Sequence, residues 1–476
     1  MGRTSKVVTS GLLICALAAV SVPVGMALAP AFLPKDPAVV AVLPAAQEPP
    51  TALAEISDVA PLLDTAPLPD AAKLSVDLQK ALMFDGAGTF SMYVADALTG
   101  QELFSQAGES PRIPASNLKL LTAGAVLKTL GPDARFSTRT IAGADAHEIV
   151  LLAGGDSMLS AGGSAQDLAM GHAGLATLAR NTAAALAAAG ATGPVTISID
   201  DTLFTGSPLN PTWAAEDVDA GEIAPIYPMA LYSGRTSPGV LSGPRPQDSA
   251  VAVAEAFAGA LEDAGVATTG TITRGAAPAA AQGAAVGSPG TVLASVESAT
   301  VAEQTRYMLE ESDNYTAEVL GRMVAVKLGR DASNAGAVAA VREVVGGLGL
   351  AMGTITTTDN CGLSASNLIS PRQLVELLSL MLADPAADIG QALPGLPIGG
   401  LTGSLDDRFV QKLELRGAGL VRAKTGSLNQ VTSLSGYVIN SQGRLLVFSV
   451  LGNGLTGGGA AARPVVDTAA SVLARS

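Results

Sequence analysis

Histidine is almost missing from this chain: His147 and His172 are the only two in 476 residues. A hydrolase with an imidazole base needs one placed beside its nucleophile, so that chemistry is poorly supplied. Metal ligands are short as well. Asp145, His147 and Glu148 lie close in sequence, but no second histidine stands at a usual ligand spacing, and neither a metal nor another cofactor is expected. Cysteine is equally scarce. Cys15 lies in an N-terminal apolar segment, which leaves Cys361 without a partner for an internal disulfide. Aromatic residues make up 3% of the chain, too few for a stacking platform. Basic residues are outnumbered, 28 Lys and Arg against 42 Asp and Glu, and no basic stripe offsets the net charge of −14. A polyanion would be repelled, so no nucleic-acid partner is expected.

What is present begins with an export signature. Arg3 and Lys6 precede a stretch without charge that lasts until Lys35. Ala27-Leu-Ala29 suits cleavage, yet Pro30 would follow the cut, and the apolar run is long enough to span a bilayer. Residues 1–34 therefore read as a signal peptide or a membrane anchor, with the working part of the chain outside the cytoplasmic membrane. Residues 35–73 are rich in Pro and Ala without sustained periodicity, the composition of an extended spacer.

From about Leu74 the texture is that of a globular fold. A helix to about Met83 is followed by two strands, Ser91 to Asp96 and Glu102 to Phe104, around Leu98-Thr-Gly100. Ser116 to Leu130 is apolar on most faces, which predicts a helix through the centre of a domain, stopped by Gly131-Pro132. Between about 142 and 292, short strands (149–152, 195–199) alternate with Ala-rich helices (175–189, 251–264). This block reads as an insertion, and its helix-then-strand pattern occurs twice. Helices return at 300–328 and 371–382, strands at 419–424, 431–439 and 445–451, and a last helix at 460–474. The expected class is α+β, a mixed sheet with helices packed on it. One discontinuous domain (74–141 plus 293–476) is interrupted by an accessory region (142–292).

Three short strings then matter together: Ser116-Asn-Leu-Lys119, Ser312-Asp-Asn314 and Lys424-Thr-Gly426. Ser116 and Lys119 share a helix face at a spacing of three. Burial of Lys119 would favour a neutral amine able to take the serine proton. Ser312 offers a proton relay, and Asn314 both a donor and an acceptor for a peptide backbone. Lys424 offers positive charge and Thr425 a hydroxyl to a carboxylate, while Gly426 would leave room for substrate backbone. Taken singly, each string fits a helix cap, a turn or a charged strand end better than it fits a catalytic site. In this order they form the signature of serine acyl-enzymes acting on penicillin and D-alanyl peptides.

The flanks extend the match. Pro114 to Thr122, Ser312 to Glu318, Ala423 to Leu428 and Leu434 to Val438 resemble the class C penicillin-binding proteins, the D-alanyl-D-alanine carboxypeptidase/endopeptidase family. Within the insertion, Asp200 to Phe204, Trp213 and Ala224-Pro225 resemble that family's second domain. The resemblance implies a penicillin-binding/β-lactamase-like fold and a serine DD-peptidase of peptidoglycan stem peptides. It would cleave the terminal D-Ala-D-Ala bond, and D-alanyl cross-links by the same chemistry, and be trapped by β-lactams. Ser116 would be the nucleophile, Lys119 its base, and Ser312 and Asn314 the second catalytic element. Lys424 and Thr425 would hold the terminal carboxylate, with Gly426 beside them, and the backbone N–H groups of Ser116 and Ser427 would form the oxyanion hole. Such an enzyme would be secreted to the cell wall or held on the outer face of the membrane.

Two positions depart from the family. Cys361 stands where relatives usually carry Ser, and Ala365 where they carry an Arg that grips the carboxylate of a diaminopimelate side chain. Asp217 matches the acid that completes that pocket. The cation-binding half remains without its anion-binding half, which implies a lysine or an amidated diaminopimelate at the third position of the stem peptide. A β-lactamase or esterase on the same fold is the alternative enzyme, and a non-catalytic wall-binding relative the alternative without chemistry. The intact set Ser116, Lys119, Ser312, Asn314 and Lys424 disfavours the latter.

Overall fold

The first helix starts three residues before the expected Leu74. In the computed structural model, which describes residues 65–476 apart from Ala146 and Leu241, α1 spans Ala71–Ala81. Asp70 sets that start, its carboxylate accepting the Lys73 N–H at 2.9 Å. The signal or anchor segment and nearly all of the spacer lie outside the described residues. β1 (Thr89–Asp96) and β2 (Glu102–Gln106) pair antiparallel, and the Asp96 carboxylate accepts the Thr99 N–H at 2.9 Å to shape the turn between them. A 3-10 turn at Ala115–Leu118 then leads into α2 (Lys119–Leu130), which is buried from Lys119 to Leu127 and ends at Gly131 with φ +84°. The expected central helix is there, with its first turn wound more tightly.

The next region has its own sheet, built from β3 (Ser137–Ala142), β4 (Glu148–Leu152), β6 (Thr196–Asp200), β8 (Thr273–Arg274) and β9 (Val292–Glu297). A small parallel pair beside it joins β5 (Asp156–Leu159) to β7 (Met229–Leu231). Helices α3 (Leu175–Ala188), α4 (Ala215–Asp219) and α5 (Ser249–Asp263) complete it. Strand order is β8-β6-β4-β3-β9. β4, β6 and β8 run parallel, with α3 before β6 and α5 before β8, so the repeated helix-then-strand pattern forms two successive crossovers. The second repeat's strand forms at Thr273–Arg274. The sheet reaches from Ser137 to Glu297, wider than the 142–292 block, because β3 and β9 pair with each other at its margin. Leu178, Ile197, Ile199, Val253 and Phe257 belong to its core.

Four helices follow: α6 (Val301–Glu310), α7 (Asn314–Lys327), α8 (Asn334–Gly347) and α9 (Pro371–Ala383). Capping boxes start α6 (Thr300 with Glu303) and α9 (Ser370 with Gln373, Pro371 following). The chain closes with β10 (Arg422–Leu428), β11 (Val431–Ile439), β12 (Leu445–Asn453) and α10 (Arg463–Arg475). These strands join β1 and β2 in one antiparallel sheet of order β10-β11-β12-β1-β2. Strand alternation splits β1 between two cores. Tyr93 and Ala95 pack with α2 on one face, and Phe90, Met92 and Val94 pack with Leu78 of α1 and Val466 of α10 on the other. Each fully buried leucine of α2 contributes ~2 kcal/mol of apolar burial, so the helix that opens at the Ser116–Lys119 turn is firmly anchored. β10 is an edge strand, and its outer side borders the cleft described next.

Candidate active site

Tight winding at the start of α2 brings Ser116 and Lys119 together. In a 3-10 turn, residues i and i+3 eclipse, and Lys119 Nζ lies 2.9 Å from Ser116 Oγ. Ala115 just before them has φ +49°, a left-handed conformation that costs about 1–3 kcal/mol outside glycine. The turn is held in that shape by β11. Ser433 Oγ donates to the Pro114 carbonyl at 2.7 Å and accepts from the Asn117 amide. Gly426 of β10 permits this approach, since a Cβ there would meet Ser433 Oγ at 2.2 Å and the Pro114 carbonyl at 2.9 Å. Its bareness therefore serves the nucleophile turn, and Gly426 also lines the cleft.

Lys119 is completely buried. Its Nζ donates to Asn314 Oδ1 at 2.6 Å and to the Cys361 carbonyl at 2.7 Å. Burial lowers its pKa, with Cys361, Asp313, Asp359 and Glu318 pulling the other way. The net direction is toward the neutral amine, the form a base requires.

Ser312-Asp-Asn314 follows α6 directly and forms the break between it and α7, inside the 300–328 stretch expected to be helical. Ser312 takes φ +57°, and the Asp313 carboxylate caps α7 by accepting the Thr316 N–H at 2.8 Å. Burial opposes the Asp313 charge, but Arg245, the Ser233 hydroxyl and Arg235 hold its pKa below the usual range. All three come from the segment after β7, while Asn314 Nδ2 donates to the carbonyl of Glu222, which lies between α4 and β7, at 3.0 Å. The Ser312 hydroxyl has no hydrogen-bond partner among the described residues and borders the cleft.

Lys424 lies inside β10 rather than at a strand end, because the β10–β11 ladder continues from Arg422 to Leu428. Its ammonium is buried and bonds within its own strand, to the Thr425 carbonyl at 2.9 Å and Oγ1 at 3.4 Å. Burial first, then Lys119 and Arg408, push its pKa well down, with Glu311 alone opposing. Thr425 Oγ1 is also 2.7 Å from Ser404 Oγ.

Ser116, Ser312, Asn314, Thr425 and Ser427 line one cleft of about 940 Å³, with Lys119 and Lys424 buried behind them. Asp217 and Ala365 border the same space, as does Glu222. Burial, then Glu222 and Glu216, raise the pKa of Asp217. A wall of crowded acids favours a cation. The segment bearing Ala365 is fixed by Asp359, which accepts N–H donors from Gly362 and Ser364 and the Trp213 indole at 3.0 Å.

Several participants carry no motif. The Cys361 and Glu222 carbonyls are backbone groups that any residue would supply. Ser404 lies in a short 3-10 turn, Gly403–Leu405, and Glu318 falls inside the matched Ser312–Glu318 segment without a role readable from it. Glu318, Asp359 and Cys361 place possible ligand atoms within 4.8 Å of one another. Both carboxylates are spent on N–H donors, and burial pushes the Cys361 thiol well up, which suits an internal scaffold better than an ion site.

Comparison with known proteins follows the same lines. Residues 73–245 and 241–476 match the model of the D-Ala-D-Ala carboxypeptidase 3 (S13) family. A carboxypeptidase of Mycobacterium tuberculosis is 33% identical over 409 residues, covering 85% of this chain and 84% of its own. A D-alanyl-D-alanine carboxypeptidase of an Actinomadura strain is 29% identical over 448 residues, covering 76% and 77%. Among solved structures, penicillin binding protein 4 of Haemophilus influenzae superposes with a TM-score of 0.67 at 18% identity, covering 84% of this chain and 99% of that one. That structural likeness carries the fold.

Proposed function

Because this chain belongs to the D-Ala-D-Ala carboxypeptidase 3 (S13) family and is a serine DD-peptidase, we propose that Ser116 is the residue acylated, with Lys119 as its base. The 2.9 Å approach of Lys119 Nζ to Ser116 Oγ inside a buried, pKa-lowered pocket is the observation that carries this assignment. Ser116 Oγ attacks the carbonyl of the penultimate D-alanine while its proton passes to Lys119. The peptide C–N bond then breaks, and Ser312 relays a proton to the departing amine of the last D-alanine. Water resolves the ester. The N–H groups of Ser116 and Ser427 stabilise the oxyanion. The peptide lies along the outer edge of β10, where Lys424 and Thr425 receive its terminal carboxylate. We assign catalysis to residues 74–141 plus 293–476, and to 142–292 the role of an accessory region that buttresses the Ser312–Asn314 loop.

For the third residue of the stem peptide, Asp217 and Glu222 on one side and the methyl of Ala365 on the other favour a side chain ending in an amine, with no carboxylate beside it. Lysine and amidated diaminopimelate both satisfy this. The enzyme works on the cell wall outside the cytoplasmic membrane, and the basic and apolar N-terminal segment supports its export, by release or by anchoring.

Labelling with a fluorescent penicillin tests the acylation site. Wild type should give a covalent adduct that Ser116→Ala abolishes, and an adduct surviving that substitution would move the nucleophile elsewhere. Turnover of lysine-type against free diaminopimelate-type peptides tests the subsite, with a clear preference for the latter contradicting it. An adduct lost within seconds would favour a β-lactamase.

A further inference from the structure

Asn314 and Glu318 share one face of α7 at a spacing of four. Asn314 touches Lys119 directly. Glu318 is buried and reaches instead into the strap 359–364. Its Oε1 accepts the N–H groups of Asn360 at 2.7 Å and of Cys361 at 2.8 Å, and its Oε2 accepts Asn360 Nδ2 at 3.1 Å. The strap in turn meets α2 twice. The Asn360 carbonyl accepts Thr122 Oγ1 at 2.6 Å, and the Cys361 carbonyl accepts Lys119 Nζ at 2.7 Å. Gly321, one turn along α7, lets the strap lie this close, since a Cβ there would come within 2.7 Å of the Asn360 amide.

A neutral lysine amine has two N–H bonds and one lone pair. If Asn314 Oδ1 and the Cys361 carbonyl each take one N–H, the lone pair is left for the remaining neighbour, Ser116 Oγ. We propose that Glu318 is a positioning residue for acylation: by gripping the N–H groups of Asn360 and Cys361 it aims the Cys361 carbonyl at Lys119, and so turns the lone pair of the amine toward Ser116. This rests on the assignment of Ser116 as the acylated residue.

Glu318 also acts through charge. The groups bearing electrically on Lys119 are the carboxylates of Asp313, Asp359 and Glu318, the Cys361 thiol and, from β10, the Lys424 ammonium. Burial and then Asp359 push the Glu318 carboxyl up to about 7, so it ionises near neutral pH. Being raised above its unfolded value, it contributes stability that is complete at acid pH and lost as pH rises through about 7. Glu318→Gln keeps an acceptor for both N–H groups, and its own amide can donate to Asn360 Oδ1, a buried atom with no partner among the described residues. It removes a negative charge that favours the Lys119 ammonium.

The test is stopped-flow acylation by a chromogenic cephalosporin across pH. For Glu318→Gln, the acid limb of the second-order acylation constant should move down by about half a pH unit or more, and the fall in stability near pH 7 should flatten. For Glu318→Ala, the acylation rate constant should drop by about two orders of magnitude, with the affinity of the noncovalent complex held within about threefold. If the alanine variant does not fold, the pH profile of the glutamine variant decides alone. An unmoved acid limb overturns the proposal, as does a wild-type acylation rate in Glu318→Ala whose only change is a lower Tm. Absence of any adduct in the wild type would instead remove the assignment of Ser116 itself.

Discussion

The two lysines behind the cleft are equally buried and oppositely supported. On the helical wall, Lys119 is met by Asn314, the Cys361 carbonyl and Ser116, with Asp313, Asp359 and Glu318 near enough to favour its charge. On the sheet wall, Lys424 finds hydrogen-bond partners among the described residues only in its neighbour Thr425, while Lys119 and Arg408 repel it. One lysine is poised to exchange a proton among fixed partners. The other is a buried amine whose charged form has no carboxylate within hydrogen-bond reach among the described residues, a place the substrate carboxylate proposed above would fill. Identical side chains thus sit among different neighbours, which suits the proposed proton transfer on one wall and the proposed binding on the other.

The difference can be broken most forcefully by removing each amine in turn. Lys119→Met should lower the acylation rate constant by about 10³-fold or more, the scale of a lost general base. Lys424→Met should act mainly through KM for a substrate with a free terminal carboxylate, by about tenfold to a hundredfold, since a charge-assisted contact is lost. Steady-state and burst kinetics on the two variants separate the effects, and identical losses in both parameters would erase the distinction.

Stability should separate them in the opposite sense. The folded pKa of Lys424 is depressed below that of the unfolded chain, so folding is penalised as pH falls from about 10.4 toward the folded value. Lys424→Met should therefore raise Tm at neutral pH by about 2–4 °C or more, a gain that fades above about pH 10.4. Lys119→Met should gain less, because Asp359 and Glu318 lose a compensating cation. Thermal melts at pH 7 and near pH 10.5 check both. The smallest change belongs at the rim of the cleft, where Ala365→Arg should shift preference toward free diaminopimelate side chains by about tenfold, measured as a ratio of kcat/KM values.

Legibility differed between these walls in a way that follows from chemistry. Side chains with rare reactivity, Ser116, Lys119 and Asn314, stood out in the chain, and the geometry brings them within hydrogen-bond reach. The Cys361 and Glu222 carbonyls did not, since every residue has one and only the fold selects which is used. Helix α8 went unassigned because Asn334–Gly347 is mostly Ala, Val and Gly, with little polar contrast to mark a face. The break at Ser312 was hidden inside a continuous helical texture, because its left-handed φ is a tertiary outcome. Gly426 stands out in the chain, but its close approach to Ser433 and the Pro114 carbonyl does not. A missing side chain says that something approaches closely, not what.

The contact between Asn314 Nδ2 and the Glu222 carbonyl has a consequence for how this architecture can be taken apart. A shortened enzyme from which the intervening region was excised would retain every residue of the three strings. It would nonetheless lose the carbonyl that orients the Asn314 amide, together with the Arg235, Arg245 and Ser233 groups that hold Asp313 ionised. Without that carbonyl, one less contact keeps the Asn314 amide oxygen turned toward Lys119. Transplanting this chemistry to a smaller scaffold therefore means carrying the 221–245 segment along, or designing a substitute for a single backbone oxygen.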